Sequence, residues 1–161
     1  MGNILRNPVT ENAILLTPRT GSHSLVIAAI DAWWSETDLE NAEQHPAVFI
    51  PAQENWDGSN QNVAIIVRSP VERFRSMIAH RHLDIDEQLD NPVYGSLPQG
   101  AFARVFRFED GLDSVAEYLG LPLPLPQLDT TDEADKPTLT AEQEARVREI
   151  YAADIALWES L

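Results

Sequence analysis

The chain has 161 residues, of which 11 are basic and 26 acidic, and it contains no cysteine. This length predicts a single domain, 1–161, that buries about 70% of its unfolded surface, and the lack of cysteine excludes disulfides, a thiol nucleophile and thiolate-bound zinc. The net charge of −15 disfavours nonspecific binding to nucleic acid or anionic membranes, and the lack of a long apolar run or signal-like start indicates a cytoplasmic protein without a membrane span.

Hydrophobic patterning predicts short strands and a buried helix in the first part of the chain. Ala13–Leu16 is a short apolar run typical of a strand, and the long apolar stretch from 25 to 34 predicts a buried helix behind it. A second strand is predicted over 47–50. A third is predicted over 63–67, where a continuous run of apolar, mostly β-branched residues is typical of a strand buried on both faces.

A second helix is predicted to begin at Ser69, because a serine N-cap, a proline at the first position and Glu72 at the third suit a helix start with a capping box. The helical spacing of four apolar residues predicts its buried face: Val71, Phe74, Met77 and Ile78.

The rest of the chain is predicted to hold one more strand and two more helices. The strand covers 103–108, one helix starts at the cap Asp110 and stops at Gly120, and the last opens with the capping box Thr140–Gln143. Residues 84–100 are acidic and rich in turn formers, which predicts an irregular excursion.

This alternation of short buried strands and helices predicts a three-layer α/β fold. We expect a mainly parallel central sheet of about four strands flanked by helices. Ligands of such sheets bind at the carboxyl ends of the strands, so the loops that follow the strands are the first places to search for a site.

The first of these loops, 18–25, joins an apolar strand to a helix start. It brings together backbone N–H groups, three hydroxyls and Arg19, and Gly21 permits close approach of a ligand, which is a suitable environment for a phosphate-like group. The spacing is not that of a Walker A loop. An ordinary strand-to-helix turn with Ser22 as its N-cap would use the same residues.

The second loop, 67–76, places Arg68 at the end of the buried strand. A charge in that position needs a partner, which is either a bound anion or a neighbouring carboxylate. Six of the chain's basic residues are arginines within 62–107, and arginine suits phosphate and carboxylate. These arginines either mark an anion site or pair with local acids.

Both loops resemble the nucleotide-binding motifs of sulfotransferases that use 3′-phosphoadenosine 5′-phosphosulfate (PAPS). Residues 18–25 are similar to the 5′-phosphosulfate loop, in the version with Arg in place of Lys found in tyrosylprotein and carbohydrate enzymes. Residues 67–76 are similar to the 3′-phosphate motif, although Ser69 replaces the usual Asp. Three later segments resemble the family in the same order: 106–110, 118–122 and 139–158. The resemblance implies the P-loop NTPase-like sulfotransferase fold.

The resemblance also implies a reaction, namely in-line transfer of a sulfuryl group from PAPS to a hydroxyl or amine, with release of 3′-phosphoadenosine 5′-phosphate (PAP). It assigns the 5′-phosphosulfate to Arg19, Thr20, Gly21, Ser22, His23 and Ser24, and the 3′-phosphate to Arg68 and Ser76. Arg19 and His23 are also candidate catalytic residues beside the sulfuryl group. His23 replaces a Thr or Ser of the family.

The acceptor proton requires a base, for which His45 is the candidate. Carbohydrate 2-O-sulfotransferases have a similar histidine at the start of the strand that precedes the 3′-phosphate motif, and an imidazole suits base catalysis at neutral pH. His45 could instead belong to a surface turn, and Glu54 is the alternative base. His80 and His82 are two residues apart on a predicted helix and face different sides, so no metal site is expected.

Two other functions remain open from the sequence. One is a noncatalytic PAP-binding, nucleotide-binding or protein-interaction domain derived from this fold. The other is a nucleotide phosphotransferase, which the missing Walker lysine disfavours. The net charge favours a small-molecule, neutral carbohydrate or lipid acceptor over a polyanionic glycan. The chain is short for the family, so residues 84–100 and 126–138 are candidates for an acceptor lid, or a homodimer could complete the acceptor site.

Overall fold

The computed structural model describes residues 3–33, 50–51, 62–98, 100–128 and 130–161. Contacts divide the chain into two compact units: unit 1 comprises Met1–Ile66 and Gln99–Asp129, and unit 2 comprises Val67–Pro98 and Thr130–Leu161. Each unit is described by itself below. The candidate bases His45 and Glu54 and most of the strand predicted over 47–50 lie outside the described residues.

The strands form one five-stranded sheet in the order β3-β1-β2-β4-β5. Their bounds are β1 Asn3–Arg6, β2 Ala13–Leu16, β3 Ile50–Pro51, β4 Val63–Val67 and β5 Arg104–Arg107. β2 and β4 are parallel neighbours with Leu15 opposite Ile65, and β1 runs antiparallel to both β2 and β3. The α/β class and an open sheet flanked by helices are therefore confirmed, but the sheet is mixed at the edge that β1 and β3 form.

The sequence does not predict β1, because only two apolar residues lie between Asn3 and Arg6. A hairpin places it beside β2. Asn7 organises this connection: its Oδ1 accepts from Val9 N at 2.7 Å, and its Nδ2 donates to Leu119 O at 2.7 Å. Pairing with β2 and the hydrogen bond to Leu119 thus stabilise a strand that the local sequence pattern is too weak to predict.

In unit 1 an apolar core lies between strands and two helices, α1 Ser22–Trp33 and α4 Asp113–Leu119. The core residues are Leu5, Ile14, Leu16, Leu25, Ala28, Ala29, Ala64, Ile66, Phe106, Val115, Ala116, Leu119 and Leu121. The predicted helix α1 is confirmed. α4 starts later than expected from Asp110, because a short 3₁₀ turn, Phe108–Asp110, comes first, and it ends at Gly120 as predicted, with φ +68°.

Unit 2 is helical, with α2 Pro70–Arg81, α3 Ile85–Asp90, α5 Ala141–Ile150 and α6 Ala152–Glu159. Ser69 caps α2 as predicted, since Glu72 N donates to its Oγ, although the distance is a long 3.5 Å. The predicted capping box of α5 is also present, with both Thr140–Gln143 hydrogen bonds between 3.0 and 3.1 Å. The core of unit 2 consists of Phe74, Met77, Ile78, Leu89, Val147 and Tyr151.

Two features of unit 2 differ from the prediction. α3 lies within the stretch predicted to be irregular, where Asp84 caps it by accepting from Glu87 N at 2.9 Å and Leu89 is buried. The final helix is divided at Tyr151, whose ψ of 32° interrupts the helical backbone. No helix in the described ranges is both long and apolar enough to cross a membrane.

Candidate functional site

The first predicted loop, in unit 1, is a turn held by its own hydroxyls. Thr20 Oγ1 donates to Thr17 O at 2.7 Å, and the hydroxyl oxygens of the two threonines lie 2.9 Å apart. Thr17 Oγ1 also donates to Ile66 O of β4 at 3.3 Å. Thr20 is only 1% exposed. The Thr20 hydroxyl therefore maintains the turn rather than facing solvent, and the Thr17 hydroxyl attaches the turn to β4.

The backbone of this loop has two residues with positive φ. Arg19 has φ +63° and Gly21 has φ +74°. A left-handed conformation costs a non-glycine residue about 1–2 kcal/mol, and strain of this kind is concentrated at functional sites. At Gly21 the conformation is free of that cost, but a Cβ would collide with Leu112 Cδ1. The loop thus requires glycine at this position for two separate reasons.

The loop leads directly into the first turn of α1. Leu25 N donates to Gly21 O at 3.2 Å, which is the first hydrogen bond of the helical pattern. The amides of Ser22, His23 and Ser24 precede it and have no acceptor one turn back within the helix. The partial positive charge of the helix dipole is located at the same end. This geometry suits an anion.

The side chains of the loop divide into two groups. Thr20 is buried, and so is Ser24, whose Oγ accepts from Leu128 N at 3.2 Å. His23 is exposed, and Arg19 and Ser22 are half-buried. Of the predicted phosphosulfate residues, Arg19, Ser22 and His23 therefore have side chains on the accessible side, and Thr20 and Ser24 support the loop from within.

The second predicted loop belongs to unit 2 from Val67 onward. Arg68 follows the end of β4 and is half-buried, and Ser69 caps α2. Ser76, on the second turn of α2, is only 1% exposed. Its Oγ lies 3.5 Å from Thr131 Oγ1, a long hydrogen bond to a segment far along the chain.

Arg73, which lies between these two predicted ligands, forms a buried ion pair instead. Its Nη2 is 3.1 Å from Asp154 Oδ2, with the two side chains 7% and 1% exposed. Leu97 N donates to Asp154 Oδ1 at 2.9 Å, and the guanidinium lies 5.2 Å from the centre of the Tyr151 ring. Burial raises the pKa of Asp154 above its ordinary value, and the charge of Arg73 and the Leu97 amide oppose this effect. The arrangement joins α2 to α6.

Arg75 belongs to a second ionic network on the outer side of α2. It lies 2.6 Å from Glu72 and 2.8 Å from Glu133, and Lys136 lies 3.2 Å from Glu72 and 2.7 Å from Glu133. Burial raises the pKa of Glu72, but the bonds from Arg75 and Lys136 outweigh it, so that pKa is lowered overall. Hydrogen bonds from Lys136 and then Arg75 lower the pKa of Glu133.

Most of the arginines between 62 and 107 thus have identified partners inside the chain. Arg73 and Arg75 bind carboxylates, Arg81 lies over Tyr94 at 5.0 Å, and Arg104 lies over Phe106 at 4.7 Å. Asp154 and Glu133 are distant in sequence, so no local pattern could have identified these pairs.

Two further histidines and one groove of the described residues lie outside these loops. His80 and His82 are exposed at the end of α2, and the described ranges contain no group of three His, Asp or Glu residues that could hold a metal ion. A groove of about 730 Å³ in unit 2 is lined by Asp86, Leu89, Asp90, Thr140, Glu142, Gln143, Ala145, Arg146 and Glu149. Its carboxylates suit cations, and it includes neither Arg68 nor Ser76.

No protein-family model, curated protein or solved structure matches this chain. The functional interpretation therefore depends on the geometry above and on the resemblance of the two loops.

Proposed function

We propose that this chain is a PAPS-dependent sulfotransferase, which transfers a sulfuryl group from PAPS to an acceptor hydroxyl or amine and releases PAP. The observation that carries the proposal is the first loop: a hydroxyl-locked turn after β2 that opens into the amide end of α1, with Arg19, Ser22 and His23 on its accessible side. This is the chemistry that an anionic group requires.

The position of the first loop in the sheet supports the same proposal. This loop follows the carboxyl end of β2, which pairs with the parallel strand β4. Ligands of α/β sheets bind at that end of the strands. In this proposal the 5′-phosphosulfate belongs to the first loop, and the 3′-phosphate belongs to Arg68 and Ser76.

The proposed chemistry is electrostatic. As the bond between the sulfuryl group and the bridging oxygen breaks, negative charge develops on that oxygen, which remains with PAP. The α1 amides, Arg19 and the His23 ring are the groups that would stabilise this charge, because preorganised donors act most strongly on charge that appears in the transition state. The acceptor proton would go to His45, or alternatively to Glu54.

The acceptor that we propose is a small molecule, a neutral carbohydrate or a lipid. The net charge of −15 repels a polyanionic glycan or nucleic acid. A cytoplasmic location, and a homodimer that completes the acceptor site, belong to the same proposal.

One observation favours a second candidate function, a noncatalytic domain that binds PAP or a related nucleotide. Two hydroxyls assigned to phosphates already have partners in the chain: Ser24 Oγ accepts from Leu128 N, and Ser76 Oγ meets Thr131 Oγ1. A protein that has lost turnover could retain the loop while these hydroxyls stabilise the fold.

A thermal-shift titration with PAP and PAPS, beside ATP and GTP, tests the proposal. PAP at 100 times its Kd should stabilise the protein by about 2.7 kcal/mol. Arg19→Gln should abolish most of this shift. Arg146→Gln serves as the matched control, because it removes the same charge from an exposed pair with Glu149. A shift with ATP and none with PAP would overturn the proposal.

Transfer of labelled sulfate from PAPS to an acceptor panel separates the two candidate functions. Turnover that is lost in Arg19→Gln and retained in Arg146→Gln supports the sulfotransferase. Binding of PAP and PAPS without transfer to any acceptor of the panel supports the noncatalytic domain.

A further inference from the structure

Ser76, the residue assigned to the 3′-phosphate, is buried and contacts a later part of the chain. Its side chain faces Thr131, whose Oγ1 is 3.5 Å from Ser76 Oγ, and the residue is 1% exposed. A hydroxyl this deeply buried cannot contact an anion until whatever covers it moves. We call residues 130–137, the segment that contains Thr131, the strap.

The strap is attached to α2 by charged groups at its far end. Lys136 Nζ contacts Glu72 at 3.2 Å and Glu133 at 2.7 Å, and Arg75 contacts Glu133 at 2.8 Å. Arg75 Nε also donates to Pro137 O at 2.9 Å. Two of the four charged groups belong to α2 and two to the strap, so the network connects one to the other.

The strap buries few side chains of its own. None of residues 130–137 is buried, and their internal structure is a single 3₁₀ turn, Glu133–Asp135. Asp135 N and Lys136 N donate within this turn at 3.0 and 3.2 Å. Segments with few buried apolar contacts open at low cost, and partly exposed ion pairs are individually weak. The network therefore joins the strap to α2 through pairs that are individually weak.

We propose that the strap is a gate over the 3′-phosphate subsite, held closed by Glu72, Arg75, Glu133 and Lys136, and that an anion reaches Ser76 only when the strap opens. This inference rests on the proposed function. The strap also carries Asp132, Glu133 and Asp135 against a single lysine, so its opening also removes negative charge from the path of the phosphate.

The test compares PAP binding by calorimetry in the full chain and two variants, Lys136→Met and Glu133→Gln. Both weaken the network, but they change the net charge in opposite directions. The affinity of a protein whose binding-competent state is partly populated rises with that population. We therefore expect both variants to bind PAP about three- to five-fold more tightly, and the backbone amides at positions 135 and 136 to exchange hydrogen faster than in the wild type.

A simple effect of net charge would give a different pattern, in which Glu133→Gln tightens PAP binding but Lys136→Met weakens it. This result would overturn the gate. Arg146→Met, which removes a positive charge from the exposed pair with Glu149, measures that charge effect alone. PAP binding that is equal in wild type and both strap variants also refutes the gate and leaves the proposed function intact. Failure of the wild type and every variant to bind PAP refutes both.

Discussion

Replacing Gly21 by alanine tests whether the first loop has the strained geometry described above. The backbone there has φ +74°, and a Cβ would meet Leu112 Cδ1 at less than contact distance. The left-handed conformation costs alanine about 1–2 kcal/mol. Moving the Leu112 side chain off its rotamer costs about 0.5–1.5 kcal/mol more. Alanine also lowers the conformational entropy of the unfolded chain, which stabilises the folded protein by about 0.4–1 kcal/mol.

The sum is a loss of about 0.5–3 kcal/mol in the free energy of unfolding, which urea denaturation can measure. In a chain of this size each kcal/mol lowers Tm by about 2–4 °C. Gly95→Ala is the matched control, because a Cβ at Gly95 has no atom within 4 Å and the residue has no positive φ. We expect it to be neutral or to stabilise the protein by about 0.5 kcal/mol. Equal stability of the two variants would refute the loop geometry.

Three further predictions concern the ion pairs and the turn. Asp154→Asn should destabilise the protein by about 3–5 kcal/mol in urea denaturation, because it leaves the buried guanidinium of Arg73 without its counter-ion. Glu72 and Glu133 have lowered pKa values in the folded state, so their contribution is present above the ordinary carboxyl value of 4.5 and is lost as the pH falls through the folded values. An acid titration of stability should show this loss. Thr20→Val should destabilise by about 1–2 kcal/mol, because it removes the hydroxyl that donates to the turn.

Each of these predictions has its own control. Glu149→Gln, which breaks an exposed pair with Arg146, should change stability by less than about 1 kcal/mol, and an Asp154→Asn variant as stable as the wild type would contradict the buried pair. In Lys136→Met the acid-induced loss should be smaller, and an unchanged titration would contradict the network. Thr138→Val, at an exposed position, should be close to neutral, and an equal loss at Thr20 and Thr138 would contradict the role of Thr20.

Features that depend on neighbours in sequence were predictable. Three such features are present: the Ser69 cap, the Thr140–Gln143 capping box and the helix end at Gly120. Each was predictable because the interacting groups lie within one helical turn of each other. The buried strand Val63–Val67 was also identified, since a continuous apolar run needs no partner to be recognised.

The roles of individual site residues were harder to predict from the sequence. The resemblance assigns Thr20 and Arg19 alike to the ligand, but Thr20 Oγ1 donates to Thr17 O and is buried, and Arg19 is half-buried. Thr20 is in the loop and Thr17 directly precedes it, so both residues were visible in the sequence. Which hydroxyl faces inward depends on backbone angles that the sequence does not display, such as the positive φ of Arg19.

Local patterns in the chain are sufficient to predict the α/β class, the positions of β2 and β4 and most helix caps, because periodicity and capping act over a few residues. The pairing of β1 with the sheet, the Arg73–Asp154 ion pair and the contact of Thr131 with Ser76 become evident only in the folded protein. The two groups differ in the distance along the chain between the interacting residues. A strand edge, a buried charge and a covered hydroxyl are each satisfied by a partner that folding brings close, and composition does not specify which one.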